Sequence, residues 1–410
     1  MPKRPLAPQT GAAPASVQAI SLTHPDAPTP LLGNLTPSQF MRRYWQKKPL
    51  LIRQAVAGIA PPVARDQLFE MANDEDVESR LLTHWRDAWQ LKHGPFARHE
   101  LPSTNRREWT LLVQGLNLHD DRARALLDRF RFIPDARLDD LMISYATDGG
   151  GVGPHFDSYD VFLLQVQGKR RWRIGAQKDL SLKPGLPLKV LQHFEPTEDW
   201  LLEPGDMLYL PPHIAHDGVA VGECMTCSIG FRAPCESELA GQFLYHLAER
   251  GAAVNGPRRE QRYRDPQQPA VTHPAQLPQT LVDKVGAILA RIKWAERDVA
   301  SFLGCYLSEP KANVVFDAPS RPLSEAAFIR SASRSGLRLD RKTVLLYDTH
   351  SYFINGEEDR GVRGKKWLAE LADTRRLQAK RFVTLSGDGA MTALLHEWYC
   401  AGWLQVGELA

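Results

Sequence analysis

The sequence predicts an α+β protein built on a double-sheet jelly roll, and three observations carry that expectation. Between Leu141 and Pro234, short β-rich runs (LMISYA, DVFLLQVQG, KRRWRIGA, DMLYLPP, MTCSIGF) alternate with the turn signals GGGVG, KPG and EPGD. Many short strands at close spacing indicate a sandwich or barrel rather than a parallel sheet. Helical periodicity brackets this region on both sides. The 410 residues are 43% hydrophobic and 24% charged, an ordinary globular mix able to bury a sizeable core.

The elements follow in order. Residues 1–30 are rich in Pro, Ala, Ser and Thr and read as a disordered tail without the apolar stretch of a secretory signal. Thr36 is a good N-cap, Pro37 suits the first helical position and Gln39 completes a capping box, predicting a helix to about Tyr44 or Trp45. Leu50, Leu51 and Ile52 begin a strand. Residues 60–140 read as alternating helices and loops, with ARALLDRFRF the clearest helix. The β-rich region then fits a jelly roll of the cupin type. Beyond Pro234, Ser237 is expected to cap a helix with Leu239, Phe243, Leu244 and Leu247 on one face. After a loop carrying Pro257, Pro266, Pro269, Pro274 and Pro278, one long helix is expected, striped by Leu281, Val285, Ile288, Ile292 and Val299. These apolar faces suit either helix–helix dimerisation or packing on the chain's own third domain. Near the end, TVLLY and SYFIN predict a hairpin, Asn355-Gly356 a turn, and KKWLAELAD and AMTALLHEWYCAGW amphipathic helices, together a winged-helix-like module. The expected division is 1–30 tail, 31–235 catalytic β domain, 236–305 helical dimerisation region and 306–410 winged-helix-like domain.

Composition narrows the function. With 51 basic and 48 acidic residues the net charge is +3, too even for a dedicated nucleic-acid binder. The basic cluster from Arg360 to Lys366 reads as a solvated turn, and direct nucleic-acid binding is left open. No run reaches the length of a membrane span. Five sparse cysteines argue against a disulfide framework and for a reducing, cytoplasmic setting. Cys224 and Cys227 form a CxxC, but they lie in a strand-like run where positions i and i+3 face opposite ways, so two buried small hydrophobes are expected.

The chemistry concentrates in Gly153-Pro154-His155-Phe156-Asp157 and Pro211-Pro212-His213-Ile214-Ala215-His216-Asp217. In extended backbone, His155 and Asp157 project to one face and can bind one metal ion together. A third ligand arrives from a later strand, as His213 or His216, and spacing alone does not choose between them. Two histidines and a carboxylate with open positions make the facial triad of non-haem ferrous oxygenases. Such an enzyme must also hold the far carboxylate of 2-oxoglutarate with a cation inside the barrel. In GKRRWRIGA, if Trp172 and Ile174 face inward then Arg170 does too, while Lys169, Arg171 and Arg173 face out. Arg170 is therefore the candidate, because its planar fork suits a carboxylate.

The GPHFD context, the KPLLIR start after a helix, the closing SIGFRAP and the long run RFIPDARLDDLMISYATDGGGVGPHFDSYDVFLLQVQGKRRWRIG resemble the JmjC-domain ribosomal oxygenases. The resemblance covers about residues 31–410 and is closest to the bacterial branch, whose activity is C-3 hydroxylation of an arginine in large-subunit ribosomal protein sixteen. It implies metal ligands at His155, Asp157 and His216, which resolves the choice against His213. It also implies cosubstrate contacts at Arg170 and Ser144, while Thr226 stands where some relatives carry asparagine. Fe(II), 2-oxoglutarate and dioxygen are the implied cofactors, and a ribosomal protein substrate and a homodimer the implied partners. Within the family, the alternatives are hydroxylation of a ribosomal histidine or demethylation of N-methyl-lysine. Outside it stand a non-enzymatic metal-binding cupin acting in ribosome assembly and a metal-dependent isomerase or dioxygenase cupin with no need of Arg170.

Overall fold

The structure is a computed structural model in which residues 24–85, 88–254, 263–359 and 366–407 are described. The N-terminal tail up to residue 23 and the basic cluster at 360–365 lie outside the described residues, as does Pro257. Two compact units are formed, one from 1–232, 312–343 and 370–410, the other from 233–311 and 344–369. This departs from the expected contiguous division: the stretch 306–410 is split, with 312–343 and 370–410 grouping with the β domain and 306–311 and 344–369 with the helical region.

In the first unit, α1 (Pro37–Arg43) starts with the expected capping box and gives way at Tyr44. Order begins ahead of residue 31, because Thr29 caps a single 3-10 turn, Pro30–Leu32, that buries Leu31 and Leu32. Next come β1 (Leu50–Ile52), α2 (Arg65–Met71), β2 (Ser79–Trp85), β3 (Ala88–His93), β4 (Trp109–Val113) and α3 (Asp121–Asp128). Three strands thus occupy a stretch expected to alternate helices with loops. The run Trp109–Val113 is buried at every position, and such a run has no period to distinguish strand from helix.

The barrel strands proper are β5 (Leu138–Ala146), β6 (Val161–Gly175), β7 (Glu198–Leu202), β8 (Met207–Leu210) and β9 (Ala215–Phe231). The sheet runs β1-β8-β6-β9-β5-β4-β2-β3, with β7 also on β6. DVFLLQVQG and KRRWRIGA, read as two strands, are one: β6 pairs β8 over its first half and β7 over its second. Register shifts between Gln165 and Lys169 mark irregularities against β9, and bulges of this kind bend a strand. One long strand can then serve both layers of the jelly roll. The core between the layers is dominated by Phe40, Trp109, Tyr145, Phe162, Tyr209 and Ile229. Cys224 packs with Ala146 and Ala220, whereas Cys227 joins the main core, as opposite-facing positions require.

In the second unit, α4 (Glu236–Val254) starts one residue ahead of its expected cap, so Ser237 lies in its first turn. Leu239, Phe243 and Leu247 are half-buried while Leu244 is exposed. The single long helix expected next is two, α5 (Gln279–Leu289) and α6 (Glu296–Ser308). Ala295 begins the second helix, its N–H taken by the Asp298 carboxylate at 2.8 Å. Phe243 packs edge-on against Trp294 and Phe302.

The chain continues through α7 (Glu325–Ser335), β10 (Leu337–Leu339), β11 (Leu345–Tyr347), β12 (Tyr352–Ile354) and β13 (Glu357–Asp359). It closes with α8 (Lys366–Thr374), β14 (Arg376–Leu377), α9 (Ala379–Leu385), α10 (Gly389–Cys400) and β15 (Leu404–Val406). The expected hairpin is β11–β12, and Asn355-Gly356, both at positive φ, turns the chain into β13. β14, β10 and β15 form a small sheet in the first unit. Among the described residues no helix is long and apolar enough to cross a membrane.

Candidate metal and cosubstrate site

His155 and His216 face each other across an isolated antiparallel bridge in which each backbone N–H donates to the other's carbonyl, at 2.9 and 2.8 Å. This bridge brings together two residues far apart in sequence. The ligating atoms of His155, Asp157 and His216 lie within 4.8 Å of one another. His216 Nε2 stands 3.7 Å from an Asp157 oxygen, and the two imidazole centroids are 4.2 Å apart.

Each ring is oriented by its other nitrogen. His155 Nδ1 is 2.8 Å from the Gly153 carbonyl and His216 Nδ1 is 2.8 Å from the Ile214 carbonyl. A carbonyl only accepts, so both Nδ1 atoms carry the hydrogen and both Nε2 lone pairs are left for a cation. Burial, reinforced by His155, holds His216 well below the usual imidazole range and hence neutral. Burial raises the Asp157 carboxyl, against the pull of His155 and a hydrogen bond from Tyr159.

His213 is exposed and outside this cluster. Its backbone sits at φ 65° and its N–H donates to the Asp157 carbonyl at 2.7 Å, so it turns the chain toward His216.

The β6–β9 ladder extends the site. Register sets Ile174 opposite His216, Trp172 opposite Gly218 and Arg170 opposite Ala220. With a period of two, all six residues share one face. Along β6, Lys169 and Arg171 are exposed while Arg170, Trp172 and Ile174 are buried.

Arg170 is 5% exposed, and among the described residues its guanidinium donates from Nη1 to Ser144 Oγ at 3.3 Å. Its Nε and Nη2 are buried with no partner among the described residues. A buried guanidinium without a carboxylate is costly, and an anionic ligand would supply the missing acceptor. The Ser144 hydroxyl donates to the Thr226 carbonyl, and Thr226 Oγ1 donates to Gln165 at 2.8 Å, which fixes the floor beneath Arg170. Thr226 thus serves the floor twice, its carbonyl accepting from Ser144 and its hydroxyl donating to Gln165.

Sequence reasoning used Trp172 only as a marker of the inward face. Its ring lies 5.9 Å from that of His216 and walls the space between the histidine and Arg170. A Cβ on Gly218 would fall 2.6 Å from that ring, so the tryptophan's place depends on glycine there. Trp89 lies against Gly153 beside the first histidine and was also missed. Neither carries a local signal, because each reaches the site through strand pairing.

A double-stranded β-helix that gathers two histidines and one carboxylate beside a buried, unpaired arginine is the architecture of the cupin-type oxygenases. The JmjC domain family model matches residues 125–239, and a ROXA-like winged helix matches residues 290–405. The ribosomal protein uL16 3-hydroxylase of Escherichia coli is 35% identical over 363 residues, 87% of this chain and 94% of that protein. A probable ribosomal oxygenase of Haemophilus influenzae is 40% identical over 210 residues, covering 50% of this chain and 52% of its own. The solved structure of the E. coli ribosomal oxygenase YcfD with cobalt and 2-oxoglutarate superposes with a TM-score of 0.75 at 31% identity, over 90% of this chain and 98% of that one. The chain belongs to the JmjC-domain ribosomal oxygenase family.

Proposed function

We propose that the protein is an Fe(II)- and 2-oxoglutarate-dependent oxygenase that hydroxylates C-3 of an arginine in large-subunit ribosomal protein uL16. The observation that carries the reaction class is the pairing of a facial triad with a buried arginine that lacks a counter-ion. The named activity of the E. coli relative supports the substrate.

The donor set fits ferrous iron: two imidazole nitrogens and one carboxylate leave positions for a chelating cosubstrate and dioxygen. Iron with bound 2-oxoglutarate supplies the oxidation, in which carbon dioxide is released, one oxygen atom of dioxygen enters succinate and the other enters the substrate C–H bond.

The protein's own residues set the conditions. His155, Asp157 and His216 serve as the metal ligands, and the Gly153 and Ile214 carbonyls hold the histidine rings in the metal-binding tautomer. Arg170, supported by Ser144, binds the far carboxylate of 2-oxoglutarate as a fork and fixes its orientation. Trp172 excludes water from the face between them.

The helical region serves homodimerisation in this reading. Val282, Val285, Ile288, Leu289 and Ile292 are all exposed, a stripe that a second copy would cover.

The test is reconstitution of the full chain with Fe(II) and 2-oxoglutarate under anaerobic conditions, then exposure to air with a uL16 peptide. Fragment mass spectra would be read beside a His216→Ala control. One added oxygen on an arginine carbon, absent in the control, is the expected result. Succinate without peptide oxidation would discard the substrate and retain the oxygenase. Bound iron with neither product would overturn the enzyme and favour a metal-binding cupin.

A further inference from the structure

β6 and β7 pair directly, with Ile174 opposite Glu198, so a tight turn could have joined them. Instead the chain makes an excursion over residues 176–197 that holds no helix and a single isolated bridge, Leu182 to Leu191. Irregular connections of that length inside a compact domain usually serve a site. Gln177 ties its base: the amide nitrogen donates to the Asp179 and His193 carbonyls at 2.6 and 2.8 Å, and the amide oxygen accepts from the Glu195 N–H at 2.8 Å. Its two arms are joined where the Lys183 N–H donates to the Val190 carbonyl and the Gln192 N–H to the Ser181 carbonyl, both at 2.8 Å.

The returning arm docks on the loop that carries the first histidine. The Leu191 N–H donates to the Pro154 carbonyl at 2.7 Å, and Val190 and Leu191 are each 1% exposed. A Cβ on Gly153 would fall 3.4 Å from Val190 Cγ2 and 3.0 Å from Cζ2 of Trp89 on β3. Two segments distant in sequence therefore close on one glycine. Trp89 is itself braced, because the His84 ring on β2 stacks on it at 4.3 Å and 24°.

That glycine is the soft link of the site. Its carbonyl meets His155 Nδ1 at 2.8 Å and sets the ring's tautomer, from a backbone at φ 78°. Glycine has more conformational freedom than any other residue, so nothing in its own chemistry keeps the carbonyl aimed. The matching carbonyl for His216 comes from Ile214, which lacks that freedom.

We propose that Trp89 and Val190 are positioning residues for the first metal ligand: they clamp Gly153 and, through its carbonyl, hold the His155 imidazole in its binding orientation. The inference rests on the reading of His155 as a ligand. Neither side chain supplies a ligand atom, so each acts through the backbone of the glycine. Removing an outer group that orients a ligating histidine costs about 10–100-fold in metal affinity.

The test is a calorimetric titration of Co(II) into the metal-free full chain, with the visible absorption of the bound ion as a second readout of ligand geometry. Trp89→Ala should weaken binding about tenfold and alter the absorption bands. Val190→Ala should act in the same direction by less. Val190→Thr keeps the branched shape and should restore wild-type affinity, even though its hydroxyl lowers the melting temperature. Leu91→Ala, half-buried on the same face of β3 as Trp89, should lower the melting temperature without changing affinity. Wild-type affinity in both Trp89→Ala and Val190→Ala, or an equal loss in Leu91→Ala, would overturn the clamp. His155→Ala separates this result from the ligand assignment. If it alone lost Co(II), the ligand would stand and the clamp would fall; if it bound as tightly as wild type, both would fall together.

Discussion

The inward face of the β6–β9 ladder and the helical region of 236–308 are opposite kinds of exception to ordinary burial. In the barrel a charge is buried without a carboxylate among the described residues: Arg170, held by Ser144 alone and with two nitrogens unpaired. In the helices large apolar side chains are left in water, among them Ile288 at 51% and Leu289 at 59% exposure. Each exception is expensive when the chain is alone, and each points to what is missing. A desolvated cation calls for a small anion; an uncovered apolar stripe calls for another surface. The first kind defines a ligand site and the second an interface, and the two should respond differently to substitution.

The largest effect belongs to the barrel. His216→Ala should abolish hydroxylation and iron retention together, whereas His213→Ala should keep most of the metal; iron content and peptide oxidation measured on both variants decide this. If His213→Ala were the one to lose iron, the ligand assignment would fall.

Arg170→Ala should cost about 2–5 kcal/mol of 2-oxoglutarate binding, roughly thirtyfold or more in affinity. Arg170→Lys should fall between, since a point charge replaces a fork. A 2-oxoglutarate titration of the two variants that left affinity at the wild-type value would remove the cosubstrate role.

Gly218→Ala is expected to destabilise the fold by about 1–3 kcal/mol, because the new methyl must displace the Trp172 ring. Thermal unfolding gives the cost, and an unshifted melting temperature would mean that the wall yields freely.

On the helices the expected change is in assembly. Ile288→Glu should convert dimers to monomers on light scattering while helical content stays constant; a monomeric wild type would break the comparison at once. The smallest effect is reserved for removal of residues 1–23, which should leave the melting temperature in place. A cut at residue 32 should not, because Leu31 and Leu32 are in the core.

Much of the site was legible because its residues obey short-range rules. Alternation along KRRWRIGA is enough to turn Arg170 inward, and the HxD spacing is enough to aim His155 and Asp157 the same way. The choice between His213 and His216 was not available from spacing. It depends on a positive φ at His213 and a backbone bridge to His155, neither of which leaves a periodic signal. The same limit explains the misread stretch from 60 to 140: Trp109–Val113 is buried on both faces, so its strand character comes only from pairing with β2 and β5. The expected long helix failed for a local reason, since Ala295 and Asp298 start a new helix within the stripe.

By itself, then, the sequence determined the jelly roll, the metal-binding residue types and the inward arginine, all through periodicities two to four residues long. Tertiary structure alone decided that His216 meets His155 and Asp157 while His213 stays outside, and that Trp172 and Gly218 lie together beside them. Those outcomes rest on contacts between residues tens of positions apart. Such contacts form only when strands pair and segments pack, so the order of residues along the chain does not display them.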